Sequence, residues 1–395
     1  MEFIIPRRHH YLILVCSFLL VFCGVVSEAG PLKTNFYEKD CPRVEEIVQN
    51  ITWLRTSDNL ELAAKDAMDP YCWTQLPRTK RRKKQSQTAL AARDSVSFQF
   101  KTPMWSVLMG RRDGSISQES EALANLPSPF SNFSTLLQNF ASKGLDVRDL
   151  VILSGGHTIG VGHCNIFSNR LYNFTGKGDE DPSLSPSYAD MLRTKCKNLQ
   201  DTSAVEMDPS SSQDFDANYF VILKQNMGMF ESDAALLTDD NASRIVDKMV
   251  DQDFFFKSFA KSMEKMGAIQ VLTGTSGESL AGYDAIEEIK MGAIQVLNGT
   301  SGETTATPLA LNFYEKTCPN VRDIVQNIAW KHTSDNPGLA SKFLRMHFHD
   351  CFVRGCDGSI LLDSTLTNKA EKDVIPNLSL AGYDVIDKVK IALEE

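Results

Sequence analysis

Apolar positions recur three and four residues apart through most of this chain, the spacing that puts them on one face of a helix. This pattern predicts helices over Leu145–Leu153, Pro186–Leu199, Ala217–Gln225, Asn241–Met249, Phe254–Lys265, Val321–His332 and Ala381–Leu393. The segment 339–352 reads as a further helix, and a helical pattern also covers 89–96. No run of alternating strands interrupts them, so the fold class is all-α. The N-terminus differs. Arg7 and Arg8 precede an apolar run from Tyr11 to Val26, then Ser27, Glu28 and Ala29 offer a small-residue cleavage site. That is the layout of a secretory signal, and the run is short for a bilayer span of about 20 apolar residues. Residues 1–29 are therefore expected to be removed, leaving a mature chain that is exported and free of the membrane.

A repeat organises the rest. "NFYEKDCPRVEEIVQNITW" at 35–53 returns as "NFYEKTCPNVRDIVQNIAW" at 312–330, with fourteen of nineteen positions identical and a constant offset of 277 that persists to Lys65 and Lys342. Beyond those lysines the copies part. Back-translated with suitable codons and read in a frame shifted by one nucleotide, 65–87 yields a close counterpart of "GCDGSILLDSTLTNKAEKDVI" at 355–375. Copy one thus lacks the equivalent of Phe343–Arg354 and carries an out-of-frame stretch. The basic run Arg78, Lys80, Arg81, Arg82, Lys83 and Lys84 falls in that stretch and reads as a solvated loop rather than a nucleic-acid site. Within 266–303, "MGAIQVL" and "GTSGE" each occur twice, and Gly, Ser and Thr dominate. The expected organisation is a signal at 1–29, a defective copy at 30–272 whose second half is 88–272, a scrambled linker at 273–307, and an N-terminal half-copy at 308–395.

Composition adds three constraints. A formal net charge of −9 argues against nucleic acid as a partner. Of nine cysteines, Cys16 and Cys23 leave with the signal, and Cys41, Cys72, Cys164, Cys196, Cys318, Cys351 and Cys356 remain. In an oxidising compartment these are disulfide candidates first, and an odd number leaves at least one without an intramolecular partner. Sequons at Asn50, Asn132, Asn173, Asn241, Asn298 and Asn377 fit an exported glycoprotein.

The chemistry concentrates in two stretches. In "RMHFHDCFVRGCDGSILLD" at 345–363, a helix puts Arg345, Phe348, His349 and Phe352 on one face. His347 lies about 200° away from His349, so the two cannot line one pocket. A guanidinium beside an imidazole can move a proton and steady a developing oxyanion. Asp350, Asp357 and Ser359, with the carbonyls of Val353 and Gly355, offer the hard oxygen set that suits Ca²⁺. Cys351 and Cys356 can close a short disulfide; the rival is a zinc site of His347, His349, Cys351 and Cys356, cramped for tetrahedral ligation. In "LVILSGGHTIGVGHC" at 150–164, His157 follows two glycines that would let a planar cofactor approach, and Asp233 can accept its second ring N–H. Asp208, Ser211, Asp214 and Asp216 form a second oxygen-rich cluster, each equally readable as a turn or cap.

Together "RMHFHDCFVRGCDGS" and "LSGGHTIG" resemble the plant secretory (class III) haem peroxidases, over nearly everything except 1–29, 65–87 and the linker. The resemblance implies the haem peroxidase fold, haem b between distal and proximal helical halves, and two Ca²⁺ ions. It implies His349 as distal acid–base, Arg345 as the transition-state cation, Asn377 as the residue orienting His349, and His157 as iron ligand with Asp233 behind it. One calcium would take Asp350, Val353, Gly355, Asp357, Ser359 and Glu371; the other would take Thr158, Asp208, Ser211, Asp214 and Asp216. It further implies disulfides Cys351–Cys356 and Cys164–Cys196, Pro127 at the substrate edge, hydrogen peroxide and small phenolic donors as substrates, and an extracellular, cell-wall or vacuolar monomer. The chain departs from the family where Cys41 and Cys318 lack their partners and where the distal half follows the proximal one. The expected consequence is a permuted fold in which 308–395 folds back onto 88–272. The competing readings are an exported calcium-binding protein without haem and an inactive product assembled across neighbouring gene copies.

Overall fold

The computed structural model describes residues 85–209, 211–273, 309–315 and 318–394. The signal, the first repeat, Cys41, Cys72 and nearly all of the linker lie outside them. Nine helices of eight or more residues lie among the described residues: α1 Gln85–Ser97, α2 Phe133–Ser142, α3 Val147–Ser154, α4 Pro186–Lys195, α5 Asp240–Met249, α6 Gln252–Met266, α7 Val321–Asp335, α8 Leu339–Arg354 and α9 Tyr383–Glu394. The strands there are a three-residue antiparallel pair, Val161–His163 against Ala204–Glu206, with an isolated bridge between Met109 and Ala310. No helix among the described residues is long and apolar enough to cross a membrane.

Local chemistry sets the ends of the helices. Asp146 forms a capping box with Asp149, so the helix expected from Leu145 starts at Val147. Asn132, Asp239 and Asp251 each accept a backbone N–H of the first turn of α2, α5 and α6. Expected to reach Leu199, α4 stops at Lys195 because Cys196 turns extended and is tied to Cys164 by a disulfide. The helix expected over 217–225 runs only from Asn218 to Leu223, ahead of a positive φ at Asn226. Asn336 and Pro337 end α7, as proline disfavours helical geometry in the residue before it.

The two stretches share one core. α1 is buried from Gln87 to Ser97 and packs against α7, α8 and α9, while α3 packs against α2, α5 and α6. Apolar side chains from Ala89 to Ile269 and from Val321 to Val389 form a single cluster. Phe215, Phe220, Phe255 and Phe259, each no more than 1% exposed, stack edge-to-face at its centre. Burying each such ring contributes about 1.5–3 kcal/mol. A smaller cluster of Phe167, Leu171, Tyr188, Leu192, Val205 and Met229 surrounds Cys164–Cys196.

Polar clasps fasten α8 and its loop to the earlier segment. Arg354 forms a two-pronged pair with Glu121 at 2.6 and 2.7 Å. Lys369 reaches Glu119, Asn368 donates to the Ser117 carbonyl, and the Gly114 N–H bonds to Asp357 O at 2.8 Å. α8 ends at Gly355, whose φ is +84°; a Cβ there would sit 2.5 Å from the Ile269 carbonyl oxygen. Only glycine fits that turn.

Candidate active site

α8 carries the first imidazole. His349 is buried and its Nδ1 bonds to Asn377 Oδ1, while Asn377 Nδ2 donates to the Glu371 carbonyl at 2.7 Å. The second bond fixes which way the amide points. Oδ1 must therefore accept from His349, which places the proton on Nδ1 and leaves the lone pair on Nε2. Burial, then the Arg345 charge, push the imidazole pKa down to about 3, against the pull of Asn377. Arg345 donates to Ser379 Oγ and to the Pro376 carbonyl, both at 2.7 Å. Its side chain stays accessible to solvent, with neighbouring protein crowding around it. Burial lowers its pKa from the ordinary arginine value, and it stays charged. Phe348 and Phe352 stack at 4.2 Å, with Phe140 of α2 against both, completing the aromatic frame expected on that face.

His347 points elsewhere, as the helical spacing requires. Its Nδ1 lies 3.5 Å from Cys351 Sγ, and burial followed by the Arg111 charge lowers its pKa to about 3. His347, Cys351 and Cys356 sit close enough to share an ion, but the two sulfurs are bonded to each other as a disulfide. A disulfide offers no thiolate, so the zinc arrangement does not form.

The second imidazole sits on a 3-10 turn, Gly155–Thr158, that continues α3. His157 Nδ1 bonds to Asp233 Oδ1 at 2.8 Å, and its side chain keeps 36% of its surface. Asp233 is buried; Oδ1 also accepts from the Tyr219 hydroxyl at 2.9 Å and Oδ2 from the Phe230 N–H at 2.8 Å. Burial alone would raise its pKa; the His157 charge and the donated bonds outweigh it and hold the carboxyl below the ordinary value. The two preceding glycines have different surroundings. A Cβ at Gly155 would meet the Phe255 ring at 2.6 Å, so that glycine lets the turn close on the core. At Gly156 a Cβ would stand 3.4 Å from Leu344.

Two acidic clusters flank these imidazoles. Around the α8 loop, Asp350, Asp357, Ser359 and Glu371 are all buried. Asp350 Oδ1 and the Ser359 hydroxyl have no hydrogen-bond partner, and neither Glu371 oxygen makes a well-formed bond, Ser359 lying near enough only to ease its ionisation. Burial pushes Glu371 up to about 8 and raises Asp350 and Asp357, whose like charges oppose one another. The Val353 carbonyl accepts from Lys143 at 3.2 Å and the Gly355 carbonyl from the Asp357 N–H at 2.6 Å. Beside His157, Thr158 Oγ1 donates to Asp216 at 2.9 Å and to Asp208 at 3.4 Å, and Asn218 bridges the same two carboxylates. The Ser211 hydroxyl is enclosed without a partner, whereas Asp214 is exposed. Such enclosed, unpartnered oxygens fit hard cations.

Both expected disulfides are present, Cys164–Cys196 and Cys351–Cys356, while Cys318 is a half-buried free thiol. Pro127 is half-buried in the loop before α2, which the Ser232 N–H ties to Pro129 O. Asn377 is 1% exposed and doubly bonded, so its sequon is closed to a glycan. The sequence reading passed over two residues. Tyr219 lies in an apolar stretch and reads as core. Arg170, fully buried, pairs with Asp181 at 2.7 Å and donates to the carbonyls of Gly228, Met229 and Phe230, bracing the turn that presents Asp233. Nothing in "SNRLYNF" separates that arginine from a surface one.

A family model described as peroxidase matches residues 87–252 and 321–395. Peroxidase 56 of Arabidopsis thaliana is 55% identical over 192 residues, which are 48% of this chain and 58% of that protein. Peroxidase 24 and Peroxidase 27 from the same organism are 40% and 39% identical over 62% and 68% of this chain, and 83% and 95% of their own lengths.

Proposed function

Because the chain belongs to the peroxidase family, we propose that it is a haem peroxidase that reduces hydrogen peroxide and takes single electrons from small phenolic donors. One observation carries this reading: the two imidazoles are held in opposite ways, His157 by a carboxylate and His349 by an amide beside a guanidinium. In it, Nε2 of His157 would hold the iron of haem b, since Nδ1 is engaged by Asp233 and the side chain remains reachable. When bound, haem supplies the redox chemistry of peroxide cleavage and one-electron oxidation.

This chain's residues supply the rest. His349 Nε2 is placed to accept a proton from one oxygen of hydrogen peroxide and deliver it to the other, which would leave as water when the bound cofactor takes part in O–O cleavage. Its neutrality above about pH 3 keeps the lone pair available. Arg345 has five N–H donors, and those not bound to Ser379 and Pro376 steady the negative charge on the departing oxygen. Asn377 holds the imidazole in the tautomer that this shuttle needs.

Calcium would be held by Asp350, Val353, Gly355, Asp357, Ser359 and Glu371, and by Thr158, Asp208, Ser211, Asp214 and Asp216. Three buried carboxylates with raised pKa values favour a divalent cation at the first. There the Val353 carbonyl would exchange Lys143 for the ion. The export signal and paired cysteines support an extracellular, cell-wall or vacuolar monomer. Within this reading the distal half, 308–395, follows the proximal half in permuted order. Its support is that α8 packs on α1 within one core.

The test is a spectrum and an assay. The mature chain, expressed and supplied with haem, should show a Soret band and oxidise guaiacol only when peroxide is present. A chain that binds calcium but shows no Soret band would be the haem-free calcium-binding protein instead.

A further inference from the structure

Asp233 Oδ1 accepts two hydrogen bonds at nearly equal length, from His157 Nδ1 at 2.8 Å and from the Tyr219 hydroxyl at 2.9 Å. The two rings meet edge to face, their centroids 5.9 Å apart. The other carboxylate oxygen is taken by the Phe230 N–H, and Asp233 is only 2% exposed. Water therefore has little access, and the distribution of charge over this carboxylate is decided by three fixed donors. A phenol beside a buried carboxylate stays protonated, since burial and then the Asp233 charge raise its pKa. It remains a donor.

We propose that Tyr219 is a positioning and tuning residue of the proximal site. By bonding to the same oxygen that accepts the His157 N–H, it limits how much negative charge Asp233 lends the imidazole. An acceptor that already holds a second proton donor is a weaker base toward the first. Through His157, the phenol thereby sets how strongly the imidazole donates to the iron. The backbone keeps it in register. Tyr219 sits in the first turn of Asn218–Leu223, and Asn218 is anchored by bonds to Asp208 and Asp216. The Arg170 clasp on the 228–230 carbonyls holds the opposite wall, so neither partner can drift from the shared oxygen.

This inference rests on the haem reading, and the experiment separates the two. The full mature chain is loaded with haem, and the iron–imidazole stretching band of its ferrous form is recorded with the reduction potential. Tyr219→Phe should move the band to higher frequency and lower the potential, while Asp233→Asn moves both the other way. A merely structural tyrosine would lower thermal stability and leave band and potential where they were; that result overturns the proposal. If wild type shows no such band, or Asp233→Asn leaves it unmoved, the His157 assignment fails and this inference falls with it. Should Tyr219→Phe fail to load haem, 3-fluorotyrosine at position 219 keeps the shape and strengthens the donor. It should shift the band to lower frequency than wild type, and an unchanged band again overturns the proposal.

Discussion

The two imidazoles differ in one atom of chemistry. His157 gives its Nδ1 proton to a buried carboxylate, His349 to the carbonyl oxygen of an amide. A carboxylate can follow that proton with charge and make the far nitrogen electron-rich. A neutral amide can only orient the ring. The neighbours sharpen the contrast: His349 sits under the Arg345 charge, which with burial holds it neutral, while His157 faces Tyr219 and Phe230 edge to face. Under the proposed reading the same side chain would hold a metal in one place and move a proton in the other, and the partner at Nδ1 is what distinguishes them.

The strongest way to break this comparison is to remove one imidazole. His349→Ala should slow peroxide cleavage by about 10²–10⁴-fold, the usual worth of a positioned acid–base group, while the Soret band persists. Stopped-flow mixing with peroxide would check it; a rate within threefold of wild type would refute the distal role. A second effect falls on the distal side's support. If calcium binds there as proposed, withdrawing it with a chelator would leave Asp350, Asp357 and Glu371 uncompensated, and Glu371 O is what holds Asn377 against His349. At a hundredfold excess of ion over Kd the lost stability is about 2.7 kcal/mol, visible as a lower thermal midpoint that added Ca²⁺ restores. An unchanged midpoint would count against both cation sites. The smallest effect is on the proximal side. Asp233→Asn keeps the shape and removes the charge, and should weaken haem retention by about 10–100-fold, measured by transfer to apomyoglobin, with acid–base catalysis at His349 intact.

A further contrast runs along α1. This helix threads the core, yet its first described side chain, Gln87, is buried with neither amide atom hydrogen-bonded, and Asp94 Oδ2 and Ser95 Oγ are likewise unpartnered. Nearby, Arg111 is buried on backbone carbonyls, with no carboxylate salt bridge among the described residues. Burial lowers its pKa to about 10, against the opposing pull of the Asp350 and Tyr314 charges. Orphaned polar groups are costly, so this part of the core is less well satisfied than the region around α3. α3 and the turn after it show the opposite: Asp149 of the capping box also accepts from Ser262 and Lys265.

Much of this was legible in order along the chain. Helical periodicity located eight of the nine longer helices among the described residues to within about four residues, because each buries one face on a shared core, and it missed α2 at Phe133–Ser142. The spacing of Arg345 and His349 put them on one side of α8, and the two-residue step to His347 sent that ring to the other. The ends were less legible. A disulfide stopped α4 at Lys195 and a capping box started α3 at Val147, both decided by partners at a distance or by side-chain geometry.

By itself, then, the sequence determined which residue types could do chemistry and how they were phased on their helices, since both follow from covalent order and helical pitch. The tertiary structure alone decided what each imidazole faces. Asp233 is 76 residues from His157 and Asn377 is 28 from His349. Tyr219 and Arg170 looked like core and surface until the fold set one on Asp233 and the other under the turn that carries it. Distances of 3 Å between groups so far apart come from packing, and periodicity holds no record of them.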